Sequence, residues 1–228
     1  MTRVSLYRLA VVICAVAMVS SGTAQAGTVI GATHYTSFSD SPFNGQSFTY
    51  FYLETFEDGL LNTPGVSAST GVVLGPGGAI DSVDGGGNNG HSFFAGCGIC
   101  GITFTFDANV LGQLPTSVGI VWTDGDPSAT VGRLFQAYDQ NNQLIGAIND
   151  FSDGWFFEGD GNPEHFYFFG ATNAGGISSI FIANGAGGIE VDHLQYGLNA
   201  PAGVPEPGSL ALFGSGLVGL AGAVRRRI

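Results

Sequence analysis

The chain has 228 residues, of which 44% are hydrophobic and 11% are charged, and it carries a formal net charge of −12. All 18 acidic residues follow Gly27, whereas the stretch 27–207 contains a single basic residue, Arg133, which gives this stretch a formal charge near −17. This balance argues against nucleic acid and anionic membrane surfaces as partners, because both require cationic patches.

The N-terminal segment has the three parts of a secretory signal peptide. Arg3 and Arg8 supply a positive region before the apolar stretch Leu9–Val19, which is too short to span a bilayer comfortably. Ala24-Gln25-Ala26 then matches the small-residue pattern of a cleavage site. We therefore predict a signal peptide at 1–26 and a mature chain that starts after it.

Alternating apolar and polar residues dominate the stretch 27–199, as they do in β-strands. In 101–107, for example, Ile102, Phe104 and Phe106 would lie on one face of a strand. Similar runs occur at 47–54, 117–123, 133–138, 144–148, 165–169, 178–183 and 189–196. Short Gly, Asn and Asp turns separate them, and the turn 140–143 marks a hairpin. The pattern predicts an all-β domain, a single antiparallel β-sandwich of the jelly-roll kind.

The glycine-rich segment Gly75–Gly90 predicts a flexible surface loop, and the sequence Cys97-Gly98-Ile99-Cys100 follows it. In an exported protein we expect these two cysteines to form a local disulfide. A structural zinc would need two further ligands, and only His91 is nearby. A thioredoxin-type redox site would open a helix, whereas a strand pattern follows this pair.

Two acidic turns, Asp124-Gly125-Asp126 and 158–164, place oxygen atoms at alternate positions. Neither matches an EF-hand loop, so we interpret them as turns first and weak cation sites second. Between them, Trp155 and Phe156 lie in an acidic, loop-like context, where aromatic rings can stack on sugars. A role in the core is the alternative for Trp155, and Trp122 is expected in the core.

No catalytic motif is found in the chain. It contains no G-x-S-x-G elbow, no H-E-x-x-H pair and no phosphate-binding loop, and its four histidines show no recognisable ligand spacing. We expect His193 to be a packed residue of an edge strand. Two suitably spaced carboxylates are enough for glycoside hydrolysis, so a divergent glycan-active enzyme is kept as the third alternative.

The chain ends in a tail of three parts. Val204-Pro205-Glu206-Pro207 is followed by Gly208–Val224, which is apolar or small throughout, and then by Arg225-Arg226-Arg227. At ~1.5 Å per residue the apolar run is near the lower limit for spanning a ~30 Å hydrocarbon core. We predict a transmembrane helix at 208–228, with its arginines on the cytoplasmic side. An amphipathic core helix, the alternative, lacks the polar face it would need.

In its parts and their order, this tail resembles the sorting tail of bacterial PEP-CTERM proteins. The resemblance covers the residues from Val204 to Arg227. It implies a Gram-negative host that makes exopolysaccharide. It also implies that a membrane-embedded exosortase recognises the tail and cleaves near Pro-Glu-Pro, so that inner-membrane anchoring is transient.

The stretch 27–199 resembles galactose-binding-like, carbohydrate-binding jelly rolls in one respect. An early acidic pair, Glu57 and Asp58, is matched by a late acidic residue, Asp192. In such domains the first and last strands commonly lie side by side, and these residues can hold a structural Ca²⁺ ion. The resemblance implies Glu57, Asp58 and Asp192 as calcium ligands. Ordinary strand-end carboxylates are the alternative.

The sequence thus predicts a signal peptide at 1–26, a β-sandwich at 27–199, a linker with the Pro-Glu-Pro motif at 200–207 and a sorting helix at 208–228. We expect an exported, exosortase-processed protein of the cell surface, outer membrane or extracellular matrix. Its expected role is non-catalytic, either structural or associated with exopolysaccharide. A calcium-dependent, lectin-like module is the alternative. We expect no nucleic-acid partner.

Overall fold

The computed structural model describes residues 27–77, 80–85, 89–125, 134–149 and 162–201. Within these ranges the only α-helix is the single turn Ala108–Leu111, and short 3-10 turns occur at Phe38–Asp40, Gly98–Cys100 and Pro163–His165. The remaining regular structure is β. In chain order the strands are β1 Thr28–His34, β2 Phe48–Glu54, β3 Val66–Ala68, β4 Val72–Leu74, β5 Ser92–Ala95, β6 Ile102–Phe106, β7 Ser117–Asp124, β8 Phe135–Asp139, β9 Leu144–Ile148, β10 Tyr167–Thr172, β11 Ile177–Ile182 and β12 Ile189–Asn199.

The strands form two antiparallel sheets. The larger sheet has the order β1-β10-β7-β12-β5-β4, and the smaller has the order β3-β6-β11-β8-β9. The long strand β12 pairs with β7 along one edge; on its other edge 189–191 pair with β5 and 194–199 pair with β2. The predicted all-β fold with antiparallel sheets is therefore confirmed.

The main core lies between the two sheets, where alternate residues of each strand point inward. From the larger sheet, β7 contributes Val118, Ile120 and Trp122, as expected for Trp122. The smaller sheet contributes Ile102, Phe104 and Phe106 of β6, Phe135 and Ala137 of β8, and Ile177, Ile180 and Ile182 of β11. Each large apolar side chain buried here stabilises the fold by about 1.5–3 kcal/mol relative to its exposure.

A second apolar cluster covers the outer face of the larger sheet, because β7 and β10 are apolar on both faces. Its members are Tyr35, Phe43, Val83, Val121, Phe166 and Phe168. Val83 belongs to the segment 80–85, which packs over this face with Ile80, Asp81 and Ser82 buried. The prediction of a surface loop at 75–90 is therefore wrong for 80–83.

The predicted strands from 47–54 to 189–196 are all found, with shifted ends. The largest shift is at β10, which begins at Tyr167 because Pro163–His165 forms a 3-10 turn capped by Asn162. The predicted hairpin joins β8 to β9 and has Asn142 at φ 59°. His193 is packed as predicted, at 2% exposed, but it lies on β12, which is paired on both edges, so its predicted edge position is wrong.

Several predictions concern residues outside the described ranges. They are the signal peptide at 1–26, the aromatic pair Trp155 and Phe156, the Val204–Pro207 motif and the helix with its three arginines at 208–228. In the part of the chain that the structure describes, no helix is long and apolar enough to cross a membrane.

Candidate cation-binding site

A bulge in β12 places two successive polar residues on the outer face of the larger sheet. Four residues of β12 point into the core: Ile189, Val191, Leu194 and Tyr196. Successive inward-facing residues are two positions apart in each pair but three positions apart between Val191 and Leu194. The register against β7 shifts at the same point, between Asp192 and Gln195. His193 takes up the change with a φ of 44°, which is unusual for a residue with a side chain.

A second bulge lies in β7, opposite the start of β12. Trp122 pairs with Val191 and Asp124 pairs with Glu190, so Thr123 is the extra residue on β7. Because Ile189 and Val191 face the core, Glu190 between them faces outward. Without the bulge, Asp124 would share the inward face of Trp122; with it, the side chain is turned toward Glu190.

Three carboxylates meet at this point, and we call Asp81, Asp124 and Glu190 the carboxylate cluster. One ligand atom from each lies within 4.8 Å of the others. Asp81 and Glu190 are each only 1% exposed, and Asp124 is half-buried. It is the only such group of His, Cys, Asp or Glu side chains in the described ranges.

Short-range donors hold Glu190 in place. The hydroxyl of Ser92 and, at 3.4 Å, the backbone N–H of Asp81 both donate to Glu190 Oε1. Burial nevertheless raises the pKa of Glu190 to about 7, and the nearby charges of Asp81 and Asp124 act in the same direction. Both burial and the acidic neighbours therefore oppose the ionisation of Glu190.

Asp192 forms a neighbouring buried group with the segment 80–85. Its Oδ2 accepts the N–H of Val83 at 2.8 Å and lies 3.3 Å from the hydroxyl of Ser82, which is 3.1 Å from Glu57 Oε1. Burial is the main cause that raises the pKa of Asp192 well above its usual value. Ser82 therefore links Glu57 and Asp192, two of the predicted calcium ligands.

The third predicted calcium ligand, Asp58, lies apart from this group. Its two carboxylate oxygens accept the N–H of Leu60 at 3.0 Å and the side-chain amide of Asn62 at 2.6 Å, so it shapes an exposed turn. The structure brings two members of the predicted set together and gives the third a local role. The tighter set of three comprises Asp81, Asp124 and Glu190.

A chain of polar groups, buried except for Asp84, continues from the bulge in β12. His193 Nδ1 lies 2.8 Å from the hydroxyl of Tyr35, and its Nε2 lies 3.2 Å from Asp84 Oδ2. Gln195 donates to the same tyrosine hydroxyl at 3.0 Å. The hydrogen bond to His193 holds the pKa of Asp84 below its usual value, whereas burial raises the pKa of Tyr35. These contacts bind β12 to the loops over it.

The charge balance around these groups is one-sided. The described ranges contain no Lys and no Arg, and four histidines are their only side chains that can become cationic near neutral pH. Of these, His91 lies 3.4 Å from Glu57, and His193 lies beside Asp84. The three carboxylates of the cluster are oxygen ligands of the kind that a hard divalent cation prefers.

Cys97 and Cys100 are joined by a disulfide in the turn that follows β5. Both residues are exposed, and the 3-10 turn Gly98–Cys100 lies inside the bridge. Ser92, at the other end of β5, contacts Glu190. The disulfide therefore closes the turn after Ala95, at the end of β5 where Phe94 pairs with Glu190.

Comparison with known families identifies the C-terminal tail. Residues 203–227 match the PEP-CTERM protein-sorting motif. The chain is an exosortase-targeted, exported protein. The match confirms the predicted sorting motif and implies processing by exosortase, a membrane enzyme, with targeting to the cell surface or the extracellular space. No curated protein and no solved structure matches the chain.

Sequence reasoning did not select Asp81 or Glu190, and it treated Asp124 only as part of a weak turn site. The sequence did carry a usable signal in Ile189–Tyr196. The apolar residues fall on odd-numbered positions up to Val191 and on even-numbered positions from Leu194. Such a change within a strand pattern indicates a bulge, and bulges frequently lie next to functional sites. Asp81 carries no comparable signal, because it lies in a glycine-rich segment.

Proposed function

We propose that this protein is a non-catalytic structural component of the cell surface or extracellular matrix, associated with exopolysaccharide. The observation that carries the proposal is the sorting motif at 203–227, which directs the chain out of the cell. The β-sandwich in front of it would be the part that stays outside after processing.

The composition of the sandwich supports a passive role in a polysaccharide matrix. Between Gly27 and Pro207 the chain has 18 acidic residues and one basic residue. Such a surface repels acidic polymers at low salt and can associate with them through bridging divalent cations. Neutral polysaccharide is not repelled by this surface and needs no bridging cation. The surface would also keep the protein soluble at high local concentration.

Delivery is tested by following an epitope placed after Gly27 in a host with exosortase and in the same host without it. We expect the processed body in the surface and extracellular-polymer fractions of the first host, and the uncut chain in the inner membrane of the second. A Glu206→Ala chain in the first host should behave like the natural chain in the second. Equal processing in both hosts would contradict exosortase-dependent delivery.

Association with polysaccharide is tested separately, by sedimenting the released protein with exopolysaccharide from the same host. We expect co-sedimentation with neutral polymer in chelator, and with acidic polymer only when Ca²⁺ or Mg²⁺ is added. Protein that stays in the supernatant under every condition would contradict the matrix role. Release of reducing sugar, lost on mutation of a carboxylate pair, would replace it with an enzymatic one.

A calcium-dependent carbohydrate-binding module is the second candidate function. The observation that favours it is the contact of Glu57 and Asp192 through Ser82, two of the three ligands that the jelly-roll resemblance implies. A glycan array probed with and without Ca²⁺ tests it. Calcium-dependent binding of a defined sugar that is lost in Trp155→Ala and Phe156→Ala would support the lectin-like role. Binding to no glycan on the array would contradict it.

A further inference from the structure

We propose that the end of the sandwich from which the sorting tail leaves is a docking surface for exosortase. We call this surface the exit end; it consists of the segments 107–116, 139–143, 173–176 and 197–201. The inference goes beyond recognition of the tail, because it gives the folded body a contact of its own with the enzyme. It rests on processing by exosortase and not on the role of the released protein in the matrix.

Strand pairing brings the segments of the exit end together. Thr172, the last residue of β10, and Gly197, near the end of β12, both pair with Ser117, the first residue of β7. On the smaller sheet, the end of β8 pairs with the start of β11, which follows β10 after one short turn. The connections between these strands therefore lie at one end of both sheets, and the described chain stops there at Pro201.

The first argument is the length of chain between the body and the cleavage site. Pro205 follows Pro201 by four residues, so even a fully extended chain separates their Cα atoms by no more than about 14 Å. A compact domain of the size of this sandwich is on the order of 40 Å across. A membrane enzyme that cleaves near Pro-Glu-Pro must therefore come up against the exit end.

The second argument is the distribution of charge. The exit end, all of whose residues the structure describes, has only two charged side chains, Asp107 and Asp139, and each accepts a backbone N–H of its own turn. The opposite end of the sandwich holds a larger set of acidic residues, which includes Glu54, Asp81, Asp124, Glu164 and Glu190. The cores of protein interfaces are depleted in charged residues. The exit end is therefore the part of this acidic body that a partner can cover with the least desolvation of charge.

The third argument is the apolar surface at the exit end. Two neighbouring clefts of 330 Å³ and 480 Å³ share Gln113 and Leu198 in their walls, and half-buried Leu111 and Leu114 line one cleft each. Val110, beside them, is 60% exposed. Exposed apolar patches with polar groups around them mark sites of contact with proteins or membranes. Because the tail holds this patch beside exosortase, the enzyme is the partner that it fits.

The experiment follows the rate of processing of the full chain, by pulse-chase labelling in a host with exosortase. Val110→Glu combined with Gln113→Glu should slow processing at least about fivefold, because charges in the contact lose their water without gaining a partner. Leu60→Glu combined with Ile99→Glu is the matched control, at residues 57% and 55% exposed near the opposite end, and should change the rate less than about twofold. A photo-crosslinking residue in place of Val110, but not of Ile99, should form an adduct with the enzyme.

Charge of the opposite sign separates the enzyme from the membrane surface as the partner. Val110→Lys combined with Gln113→Lys should also slow processing, because an uncharged interface disfavours either sign. Faster processing of this lysine pair, together with slower processing of the glutamate pair, would mean that the exit end contacts anionic lipid. That result would overturn the proposal.

A longer linker separates a lost contact from a damaged fold. About sixteen Gly and Ser residues inserted after Pro201 add a mean reach of about 20–24 Å, so that the body no longer has to touch the enzyme. With this linker, the glutamate pair at the exit end and the natural body should be processed at rates within about twofold. A delay that persists with the linker, or equal rates for the exit-end and control pairs without it, would overturn the proposal. The matrix role is read separately, from sedimentation of the released protein, so the two proposals fail independently.

Discussion

Glu54, the last residue of β2, holds the following loop with a single buried carboxylate. It is 4% exposed; its Oε1 accepts the N–H of Phe56, and its Oε2 accepts those of Asn62 and Thr63, each at 3.0 Å. Phe56, fully buried in the core at φ 58°, depends on this loop for its position. The carboxylate therefore compensates for its own burial with three charge-assisted hydrogen bonds.

We predict that Glu54→Ala lowers the free energy of unfolding by about 2 kcal/mol or more, because it leaves three N–H donors without their acceptor. Glu54→Gln, which keeps one acceptor oxygen, should cost roughly half as much. Chemical denaturation in chelator measures both, with the exposed Glu164→Ala as the control, expected within about 0.5 kcal/mol of the natural chain. Equal stability of Glu54→Ala and the control would show that the loop does not need the carboxylate.

Asp40 offers a test of pH dependence away from the carboxylate cluster. Its Oδ2 accepts the hydroxyl of Thr36 at 2.7 Å, the N–H of Thr36 at 2.8 Å and the N–H of Ser37 at 3.2 Å. The Thr36 hydroxyl is the largest cause that lowers the pKa of Asp40 below its usual value. Because the folded state has the lower pKa, Asp40 stabilises the fold above its unfolded-state pKa, and this contribution is lost as pH falls through the folded-state pKa.

An NMR titration of the Asp40 carboxyl carbon should show this low midpoint. In Thr36→Val the midpoint should rise toward the ordinary value, and in the exposed Thr49→Val it should stay unchanged. The associated change in stability should be small, because the carboxylate is exposed to solvent. A midpoint that is the same in Thr36→Val and the natural chain would contradict the assigned cause.

At the scale of strands, the sequence predicted the longer ones and missed the short and irregular ones. The runs that became β2 and β6 to β12 extend over five residues or more and either alternate, as in β6, or are apolar on both faces, as in β7 and β10. Burial against one core selects the first pattern, and burial on both faces selects the second. β3 and β4 have three residues each, and β5 has four, which is too short for a periodic signal. β1 is an edge strand, and its residues are exposed or half-buried, so its pattern carries little burial information.

The candidate site was predicted less completely than the fold for a related reason. Glu57 and Asp192 were selected as acidic residues near the ends of strand patterns, and pairing of β2 with β12 does bring them together. The carboxylate cluster depends instead on Thr123 as a one-residue insertion and on the segment 80–85 folding back over a sheet. Both are tertiary features that strand alternation does not encode.

The β8–β9 hairpin gives a prediction at the same scale. Its turn is held by Asp139, whose Oδ1 accepts the N–H groups of Asn141 and Gln143 at 2.8 Å each, and Asn142 has a φ of 59°. Asn142→Gly should be neutral or slightly stabilising, whereas Asn142→Val should cost about 1–2 kcal/mol because a β-branched residue tolerates positive φ poorly. Thermal unfolding measures both. Gln140→Val in the same turn, outside the positive-φ region, is the control and should change little.

The molecule as a whole combines a well-packed apolar interior with an acidic exterior. Two sheets bury a continuous core, and a second cluster lies under the outer loops, yet the described ranges contain no Lys or Arg to offset their carboxylates. Self-repulsion among like charges opposes the compact state, and salt screens it. The fold should therefore be least stable in dilute, metal-free buffer and more stable in the ionic surroundings of an exported protein.

We accordingly predict that NaCl raises Tm in the presence of chelator, which removes any contribution from bound divalent cations. Raising NaCl from about 0.01 M to about 0.1 M shortens the Debye length from about 30 Å to about 10 Å, which removes most long-range repulsion between exposed carboxylates. Differential scanning calorimetry should show a rise in Tm over this range. The rise should be smaller in a chain carrying Asp58→Asn together with Glu164→Gln, since two of the repelling charges are absent. A fall in Tm with salt would mean that attractive pairs, such as Asp84 with His193, outweigh repulsion.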